Sequence, residues 1–426
     1  MQSERKFLFL QGPHGPFFWR LSCMLRAAGA QVTRVGFNAG DRAFWHDAAS
    51  YIAFKDRAEA WPERFDKIVD EREITDIVLY GDVRPIHAQA IEQARDRGLT
   101  IHVFEEGYLR PFWVTYERGG TNGYSRLMDM SVTDMRRALE KADPDDPPAP
   151  ASWGDMRQHI FYGALYHTFV LFWNGAYANF QRHRELPVSA EVVLYGRRLL
   201  LMPFHALGRA LSTARINRSG HPFHLVLMQL EHDASFLAHS RFTRMEEFLQ
   251  VVIEGFSAGA PRHHHLVFKA HPLETGRSPH SKLIARIAAE QGVTGRVHYV
   301  RGGKLAGLLN NARSAVTVNS TAAQQVLRRG ISLKVFGDAV YDKPEFVSEQ
   351  PLADFFAQPK RPDRSAYTDY RLFLLETSQV PGGFYAARSR RPLLRQVVDM
   401  MLQPEDPYDA LAAGTAAPRQ QLRVVP

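Results

Sequence analysis

The stretch "VFEEGYLRP", residues 103–111, places two adjacent carboxylates directly after an apolar run. The residues around its start, "TIHVF", predict a buried strand, so Glu105 and Glu106 fall at the end of that strand. Because successive strand residues face opposite sides, we expect one glutamate to face a ligand site. The other would then pair with a cation such as Arg110 or Arg126. The alternative is a pair of solvated loop carboxylates.

Strands and helices alternate on both sides of this stretch. Strand patterns occur at 6–12, 31–37, 76–82 and 100–107, with helical patterns at 17–30 and 86–98. Further strand patterns occur at 221–233, 263–272, 295–302, 314–321 and 332–339. This rhythm is typical of parallel, doubly wound sheets, so the sequence predicts an α/β fold with two sheet domains.

The length of 426 residues also favours two domains. We expect an N-terminal, acceptor-side domain over 1–205, with a Pro/Asp-rich loop at 141–152 and a long helical region at 155–201. A nucleotide-binding domain is expected over 206–360. Helices at 361–402 would pack back on the N-terminal domain, and 403–426 would form a loose tail.

Composition excludes several classes of protein. Lys and Arg number 53 against 45 Asp and Glu, which gives a net charge of +8, but no dense basic stripe with interleaved aromatics points to nucleic acid. The single cysteine rules out a disulfide within the chain and fits a reducing compartment. The N-terminal apolar run is too short for a signal peptide. A cytoplasmic protein is therefore expected, and its basic charge suits anionic lipid or nucleotide phosphates.

One segment, residues 159–180, carries no Asp, Glu, Lys or Arg and has arginines on both sides. Its length matches a bilayer span, although polar residues interrupt it. We favour a buried helix between domains. The alternatives are a helix that docks on a membrane surface through its aromatics and flanking arginines, and a true span.

Ligands of open parallel sheets bind beyond the carboxyl ends of the strands, so polar residues there are the first candidates. "QGPHGPFF" (11–18) offers Gly12 and Gly15 before a helix, where backbone N–H groups can approach an anion. The alternative for this motif is a tight structural turn.

Two motifs in the second half suit a phosphate. "KAHP" (269–272) puts Lys269 and His271 on one side of a strand end, and Pro272 fixes the turn. "NST" (319–321) precedes a helix, and its hydroxyls either hold a phosphate or only cap that helix.

Further polar residues at strand ends are candidate substrate contacts: Gln11, Asn38, Asp82 and Arg110 in the first half, and Glu231, Asp233 and Tyr341 in the second. The acidic pair of the second half flanks a histidine, but no spaced second histidine accompanies it. No metal site is predicted.

Eight motifs taken in order carry a family resemblance: "FLFLQGPHGPFF", "GFNAGDRAFW", "YGDVRPIH", "FEEGYLRPFWVT", "QLEHD", "KAHPLETG", "VTVNST" and "LKVFGDAVYDKPEF". Together they resemble the KpsS/LipB-type capsule polysaccharide Kdo transferases of Gram-negative bacteria, often labelled capsule biosynthesis or export proteins. Each motif is weak alone, and their order over about residues 6–385 is specific.

The resemblance implies a GT-B-like enzyme, with two Rossmann-like domains facing across a cleft. It implies CMP-Kdo as donor, no cofactor and no metal, and transfer of Kdo to a phosphatidylglycerol-type lipid that starts a β-Kdo linker. The family is also similar to bacterial sialyltransferases. There an acidic pair supplies the catalytic carboxylate, and His-Pro and Ser/Thr motifs hold CMP. The matching positions are Glu105–Glu106, His271–Pro272 and Ser320–Thr321, with Lys269 and Asn319 beside them.

Two mechanisms follow from the resemblance. In an inverting reaction one glutamate acts as general base; in a retaining reaction a carboxylate acts as nucleophile. We favour Glu106 as the key carboxylate, Glu105 as its support and His271 as the group that stabilises the departing phosphate.

Expected partners are the anionic lipid and other capsule proteins, with the chain on the cytoplasmic face of the inner membrane. The rival hypotheses are a non-catalytic export or scaffold component and a nucleotide-sugar epimerase.

Overall fold

The chain forms two α/β units. The computed structural model describes residues 4–142, 144, 156–179, 208, 210–231, 233–271, 274, 279–301 and 304–416. The first unit takes the described residues within 1–126, 133–188 and 372–426, and the second takes those within 127–132 and 189–371. Each unit contains one sheet, so the predicted pair of α/β domains is confirmed.

The elements of the first unit are β1 (Lys6–Phe9), α1 (Phe17–Ala27), β2 (Gln31–Gly36), α2 (Ala39–Ala43), β3 (Tyr51–Ala53), α3 (Trp61–Arg72), β4 (Asp76–Tyr80), α4 (Pro85–Asp96), β5 (Thr100–Glu106), β6 (Trp113–Arg118), α5 (Val132–Leu139) and α6 (Met156–Phe172). Short 3₁₀ turns of this unit lie at Ala58–Ala60, Asn122–Tyr124 and Asn174–Tyr177, and a further one, Arg126–Met128, lies where the chain passes into the second unit.

The elements of the second unit are α7 (residues 210–218), β7 (Phe223–Leu227), α8 (Ala234–Ala238), α9 (Met245–Gly259), β8 (His265–Lys269), α10 (His280–Glu290), β9 (Val297–Val300), α11 (Leu305–Leu309), β10 (Ala312–Thr317), α12 (Gln324–Leu327), β11 (Ser332–Val335) and α13 (Leu352–Ala357), with 3₁₀ turns at Thr294–Arg296 and Thr321–Ala323. The chain returns to the first unit through α14 (Arg364–Thr377), β12 (Gln379–Pro381), α15 (Ala387–Leu402) and α16 (Pro407–Ala413).

The first sheet has seven strands in the order β12-β6-β5-β4-β1-β2-β3. Strands β1 to β5 are parallel, as the βαβ rhythm predicts. Strands β6 and β12 are antiparallel additions at one edge, and the sequence prediction missed both. The turn after β5 is tight, because a Cβ at Gly107 would lie 2.1 Å from the carbonyl oxygen of Trp113. Only glycine fits there without moving β6.

Alternation along the strands builds a core on each face of this sheet. Phe7, Phe9 and Val78 belong to the buried cluster that also contains α1 and α15 side chains. Leu8 and Leu79 belong to the cluster on the other face, with side chains of α3 and α4. Both faces are therefore covered, as a doubly wound sheet requires.

The second sheet has five strands in the order β11-β10-β7-β8-β9, and all its pairings are parallel. Its strands are short, and Phe223–Leu227 is buried at every position. One of its core clusters joins α9, α10 and α13 to the sheet. The predicted parallel, doubly wound architecture is confirmed for this unit.

The expected C-terminal segments need correction. The second unit extends to residue 371, and the helices expected over 361–402 include a strand, β12. The tail expected to be loose contains α16, whose Tyr408 and Leu411 are buried. Asp406 caps this helix, a proline opens it and Gly414 ends it in the left-handed conformation. Residues 417–426 lie outside the described part.

The helical region expected at 155–201 is described only up to residue 179. Most of the loop at 141–152 also lies outside the described residues. Over 156–179 the buried side chains are Val170 and Tyr177, so the favoured expectation of a buried helix is wrong. Across the part of the chain that the structure covers, no helix has the length and apolar character needed to cross a bilayer.

Six histidines gather at the amino-terminal edge of the second sheet: His221, His224, His263, His264, His265 and His298. His265 stacks on His221 and on His298, with ring centroids 4.2 and 5.0 Å apart. Burial lowers the pKa of His224 to about 3, and of His264 and His265 to about 4. Nearby arginines such as Arg296 and Arg313 act in the same direction.

Acidification is therefore expected to destabilise the second unit. The unfolded state binds these protons near pH 6.5, whereas the folded state binds them nearer pH 4. Above pH 6.5 these imidazoles are neutral in both states, so their burial does not reduce the free energy of unfolding. That free energy falls as the pH drops from 6.5 toward 4, because protons bind only to the unfolded state over this range. Thermal unfolding at a series of pH values measures this loss. His265→Gln should flatten the pH dependence, and an unchanged slope would contradict the assignment.

Candidate active site

The carboxyl edge of the first sheet collects most of the residues predicted there. Gln11 follows β1, Asn38 follows β2 and Asp82 follows β4, while Glu105 and Glu106 end β5. These strands are parallel neighbours, so their carboxyl ends meet at one edge. In open α/β sheets this edge is where ligands bind.

The two glutamates lie on opposite faces of β5. They are in register with Thr115 and Val114 of β6, so the strand continues through both. The hydroxyl of Tyr80 donates a hydrogen bond to Glu106 Oε1 at 3.4 Å. On the other face, Glu105 Oε1 accepts the backbone N–H of Glu106 at 2.9 Å.

The carboxyl of Glu105 is strongly affected by its surroundings. Burial raises its pKa to about 7, and the negative charges of Glu106 and Asp82 add to this effect. The hydrogen bond from the Glu106 N–H and the charge of Arg110 oppose it. A carboxyl that titrates near pH 7 can both take and give a proton under physiological conditions. This property belongs to the residue that the sequence hypothesis made the supporting carboxylate.

Of the two cations expected to pair with a glutamate, only Arg110 acts on Glu105. Arg126 instead forms ion pairs with Asp406 and Asp409, next to α16. The expected role of Arg126 is therefore wrong. Both aspartates lie in the segment 403–426, which was expected to be a loose tail.

A buried polar network holds the edge beside the glutamates. Asp41 accepts hydrogen bonds from Gln11 at 3.1 Å, from the Phe37 N–H at 3.0 Å and from Tyr166 at 3.2 Å. Asn38 caps α2 by accepting the Asp41 N–H at 2.9 Å. Gln11 and Asn38 are thus buried within the protein, and this favours a positioning role for both over direct substrate contact.

Arg84 is a site residue that sequence reasoning missed. It precedes α4, donates a hydrogen bond to Gln11 Oε1 at 3.4 Å and lies over the Tyr80 ring at 5.6 Å. Its charge also acts on Tyr80 and Tyr385, which lie close to both glutamates. In the motif "GDVRP" (81–85), only Asp82 was a candidate substrate contact. An arginine two residues later, also after a strand, was the signal that could have identified Arg84.

Asp82 is buried and accepts hydrogen bonds from the Thr121 N–H and hydroxyl. It raises the pKa of Glu105 through its charge. Its role at the site is therefore electrostatic, since its charge favours the protonated form of Glu105.

The glycines of "QGPHGPFF" have structural explanations. A Cβ at Gly12 would lie 2.4 Å from the Phe18 ring. Gly15 has a φ of +104°, and a Cβ there would lie 3.0 Å from Tyr162. Packing and backbone conformation account for both residues without a bound nucleotide.

The carboxyl edge of the second sheet collects the other predicted residues. Asn319 follows β10 and exchanges two hydrogen bonds with Gln229, which follows β7. Asn319 also donates to the carbonyls of Ser235 and His239. It is buried, and it ties the loops of two neighbouring strands together.

Ser320 and Thr321 stand at the start of a short helical segment. Ser320 Oγ accepts the Ala322 N–H at 3.3 Å and so caps the 3₁₀ turn before α12. Tyr341 is buried and donates to the Ser320 carbonyl at 2.7 Å. Of the two alternatives for this motif, the structure shows capping by Ser320, and the hydrogen bond from Tyr341 holds the loop in place.

Lys269 ends β8 and is a buried cation. Its side chain is 6% exposed, and burial lowers its pKa. Within the described part of the chain it forms no ion pair, and its Nζ donates to the Ala270 carbonyl at 3.5 Å. His271 lies two residues beyond, and Pro272 is outside the described residues. An unbalanced buried ammonium is costly unless an anion joins it.

Glu231 and Asp233 serve as helix caps. Glu231 Oε1 accepts the Met245 N–H at the start of α9, at 3.2 Å, and Asp233 caps α8 by accepting the Ser235 N–H. Among the described residues, no three histidine, cysteine or acidic side chains gather as a ligand set for a metal ion.

Residues 75–385 match the family described as "Capsule polysaccharide biosynthesis protein". The chain belongs to this family. It is 30% identical over 387 residues to the capsule polysaccharide export protein KpsS of Escherichia coli, covering 90% of this chain and 97% of that protein. It is 28% identical over 393 residues to the capsule polysaccharide modification protein LipB of Neisseria meningitidis serogroup B, covering 91% and 93%. The KpsS/LipB-type resemblance inferred from motif order is confirmed.

Among solved structures, this capsule-family chain aligns with KpsC, a beta Kdo 2,7 transferase of Thermosulfurimonas dismutans. The alignment covers 93% of this chain and 100% of that one, with a TM-score of 0.43 and 11% identity.

Proposed function

We propose that the chain is a glycosyltransferase that moves Kdo from CMP-Kdo to a phosphatidylglycerol-type lipid, starting the β-Kdo linker of a capsular polysaccharide. Membership of the capsule polysaccharide biosynthesis family supports the pathway. The observation that carries the enzyme assignment is the pair Glu105–Glu106 at the carboxyl edge of the first sheet, with the pKa of Glu105 raised to about 7 by burial. An export scaffold has no use for a carboxyl held at that pKa.

Glycosyl transfer passes through a transition state in which the sugar becomes positively charged. A carboxylate near the anomeric carbon stabilises that charge, or attacks it, and a second carboxyl handles the acceptor proton. We assign the proton transfer to Glu105, because its pKa of about 7 suits it. Glu106 is assigned to the sugar, as the sequence hypothesis has it.

The second unit is assigned to the nucleotide. Lys269 supplies a buried positive charge, His271 lies just beyond it, and Ser320 and Thr321 offer hydroxyls at a helical start. A phosphate that joins Lys269 removes the cost of leaving its charge unbalanced. Asn319 and Tyr341 hold the loop that carries the hydroxyls.

Lys269→Met is expected to weaken CMP binding about tenfold or more, since a hydrogen bond to a charged group contributes about 1.5–3 kcal/mol. Isothermal titration of CMP into the whole chain measures the effect. Lys282→Met, an exposed lysine of α10, is the matched control and should bind CMP as the wild type does. Equal CMP affinity in Lys269→Met would remove this residue from the nucleotide site.

The function itself is tested by transfer of Kdo from freshly made CMP-Kdo to a phosphatidylglycerol-type acceptor. The expected result is one Kdo added per lipid, with CMP released. Release of neither CMP nor product, together with binding to other capsule proteins, would support the scaffold hypothesis. A changed nucleotide sugar formed without any acceptor would indicate an epimerase.

The proposal places the chain at the cytoplasmic face of the inner membrane, where its acceptor lipid is found. The net charge of +8 favours an anionic leaflet, at about 1 kcal/mol per nearby Lys or Arg.

A further inference from the structure

Helix α6 presents an apolar stripe to solvent. Beyond its first turn, the exposed positions of the helix are 160, 161, 164, 168, 171 and 172, which follow helical spacing and form one face. Ile160 is 62% exposed, Phe161 60%, Phe172 69% and the adjoining Trp173 62%. We call Ile160, Phe161, Ala164, Leu171, Phe172 and Trp173 the α6 stripe. Large apolar side chains concentrated on one exposed face mark a binding surface.

The opposite face of α6 fixes the stripe in place. Tyr166 accepts a hydrogen bond from Asn38 at 2.7 Å and donates one to Asp41 at 3.2 Å. Near the start of the helix, Gln158 accepts the Ala387 N–H at 3.1 Å. The stripe is therefore held outward by a specific polar interface, and it is not the loose side of a detached helix.

The helices around the stripe are strongly basic. His159 stacks on Tyr385 with ring centroids 4.1 Å apart, so α15 begins beside the first turns of α6. Helices α1, α6 and α15 together carry seven arginines and one acidic residue, Asp399. Arg157, Arg388, Arg391 and Arg395 are exposed among them. An apolar face next to exposed arginines matches an anionic lipid surface, with the rings among the acyl chains and the guanidinium groups at the phosphates.

We propose that the α6 stripe docks the chain on an anionic phospholipid bilayer. This inference deepens the proposed function, since it names the surface that brings the enzyme to its lipid acceptor. A second copy of the chain is a poorer occupant, because two arginine-rich faces would repel each other. The aromatic side chains are of the kind that lie at membrane interfaces, amphipathic Trp173 in particular.

Binding of the whole chain to vesicles tests the proposal. Co-sedimentation compares binding to two kinds of vesicle. One is phosphatidylcholine with about 30% phosphatidylglycerol, which gives an anionic surface, and the other is pure phosphatidylcholine. The wild type should bind the anionic vesicles and lose binding as salt rises. The double variant Phe172→Ser/Trp173→Ser should bind about tenfold more weakly or worse, and Arg388→Gln/Arg391→Gln should lose the preference for anionic vesicles.

Leu237→Ser is the matched control, because Leu237 is a 59% exposed apolar residue on α8 of the other unit. It should bind vesicles as the wild type does. Equal vesicle binding by the wild type and the Phe172→Ser/Trp173→Ser variant overturns the proposal. So does a loss of self-association in that variant, measured by sedimentation velocity, because it would show that the stripe binds a second copy.

The failure of this inference is separable from failure of the proposed function. Stripe variants should keep the wild-type transfer rate with a short-chain acceptor dissolved in detergent, because no bilayer is needed there. Transfer lost in detergent as well would show that the stripe belongs to the catalytic site and would overturn the docking role. Vesicle binding without any transfer by the wild type would leave the docking role standing and remove the transferase assignment.

Discussion

Glu105→Gln is expected to reduce Kdo transfer by about 100- to 10,000-fold, the usual contribution of general acid–base catalysis. Glutamine keeps the size of the side chain and the oxygen that accepts the Glu106 N–H, but it cannot carry a proton to or from the acceptor. The initial rate of CMP release from CMP-Kdo, with lipid acceptor present, measures the loss.

The fold should survive this change. A carboxyl whose pKa is raised to about 7 by burial costs stability when it ionises above that pH, and the neutral amide removes the cost. The thermal midpoint at pH 8 should therefore be equal to or higher than that of the wild type. Glu92→Gln, an exposed position on α4, is the matched control and should keep full activity.

The pH profile adds a second test of the assignment. If Glu105 acts as the base, the rate of the wild type rises with pH through about 7 and levels off above it. The residual activity of Glu105→Gln should lack that rise. A Glu105→Gln variant with the wild-type rate would show that this carboxyl plays no part in the chemistry.

Glu106→Gln separates the two roles. Loss of CMP release even without acceptor would place Glu106 at the sugar, as we propose. Accumulation of a Kdo-modified protein in Glu105→Gln, detected by intact-mass measurement, would indicate a covalent intermediate and a retaining reaction. Its absence in both variants favours direct displacement with Glu105 as base.

A second large effect is expected from Asp76, which lies at the centre of a buried network in the first sheet. Asp76 Oδ2 accepts a hydrogen bond from Arg5 Nε at 2.8 Å, and Oδ1 accepts one from His102 Nε2 at 2.8 Å. His102 Nδ1 in turn lies 2.7 Å from the Tyr116 hydroxyl. The network joins β4, β5 and β6 with the residue before β1, and its members Asp76, His102 and Tyr116 are fully buried.

Asp76→Ala is expected to lower the free energy of unfolding of the first unit by about 3–5 kcal/mol, because it leaves Arg5 and His102 without their buried acceptor. Urea unfolding followed by circular dichroism measures the change. Asp96→Ala, an exposed aspartate on α4, is the control and should stay within about 0.5 kcal/mol of the wild type. A similar small change in Asp76→Ala would contradict the importance of this network.

The same aspartate has a signature at low pH. Burial alone would raise the pKa of Asp76, but hydrogen bonds from Arg5 and His102 outweigh it and hold that pKa well below the usual range. The stability it contributes is present above the unfolded pKa of about 3.9 and is lost as the pH falls below it. Asp76→Ala should lack this part of the acid loss.

Much of the fold could be read from the chain. Apolar runs such as 76–82 and 100–107 became β4 and β5, and the runs in the second half became the five parallel strands of the second sheet. Strands β4, β5, β7 and β8 are buried over most of their length, so their signal is strong and local. Strand β12 was missed because it pairs with β6 through contacts between residues far apart in the chain, and β6 was missed because it folds back antiparallel on β5, outside the parallel βαβ rhythm.

The candidate site divides in the same way. Positions at strand ends were predictable, since residues that follow parallel strands must share an edge. The sequence did not predict which of these residues are buried and hold other side chains in place. Gln11 and Asn38 both form hydrogen bonds with Asp41, which lies in the motif "GFNAGDRAFW" but was not among the candidate site residues. Arg84 was missed because its neighbours come from separate strands.

The amino-acid sequence alone was enough to predict the α/β class, the two sheets, the family and the sheet edge at which Glu105 and Glu106 lie. These properties depend on local periodicity and on motif order, which need no knowledge of distant contacts. Folding raises the pKa of Glu105 to about 7 and sets which face of α6 reaches solvent. Both depend on burial and on charges brought together by folding, and the free energy of a carboxyl or an aromatic ring is set by those surroundings.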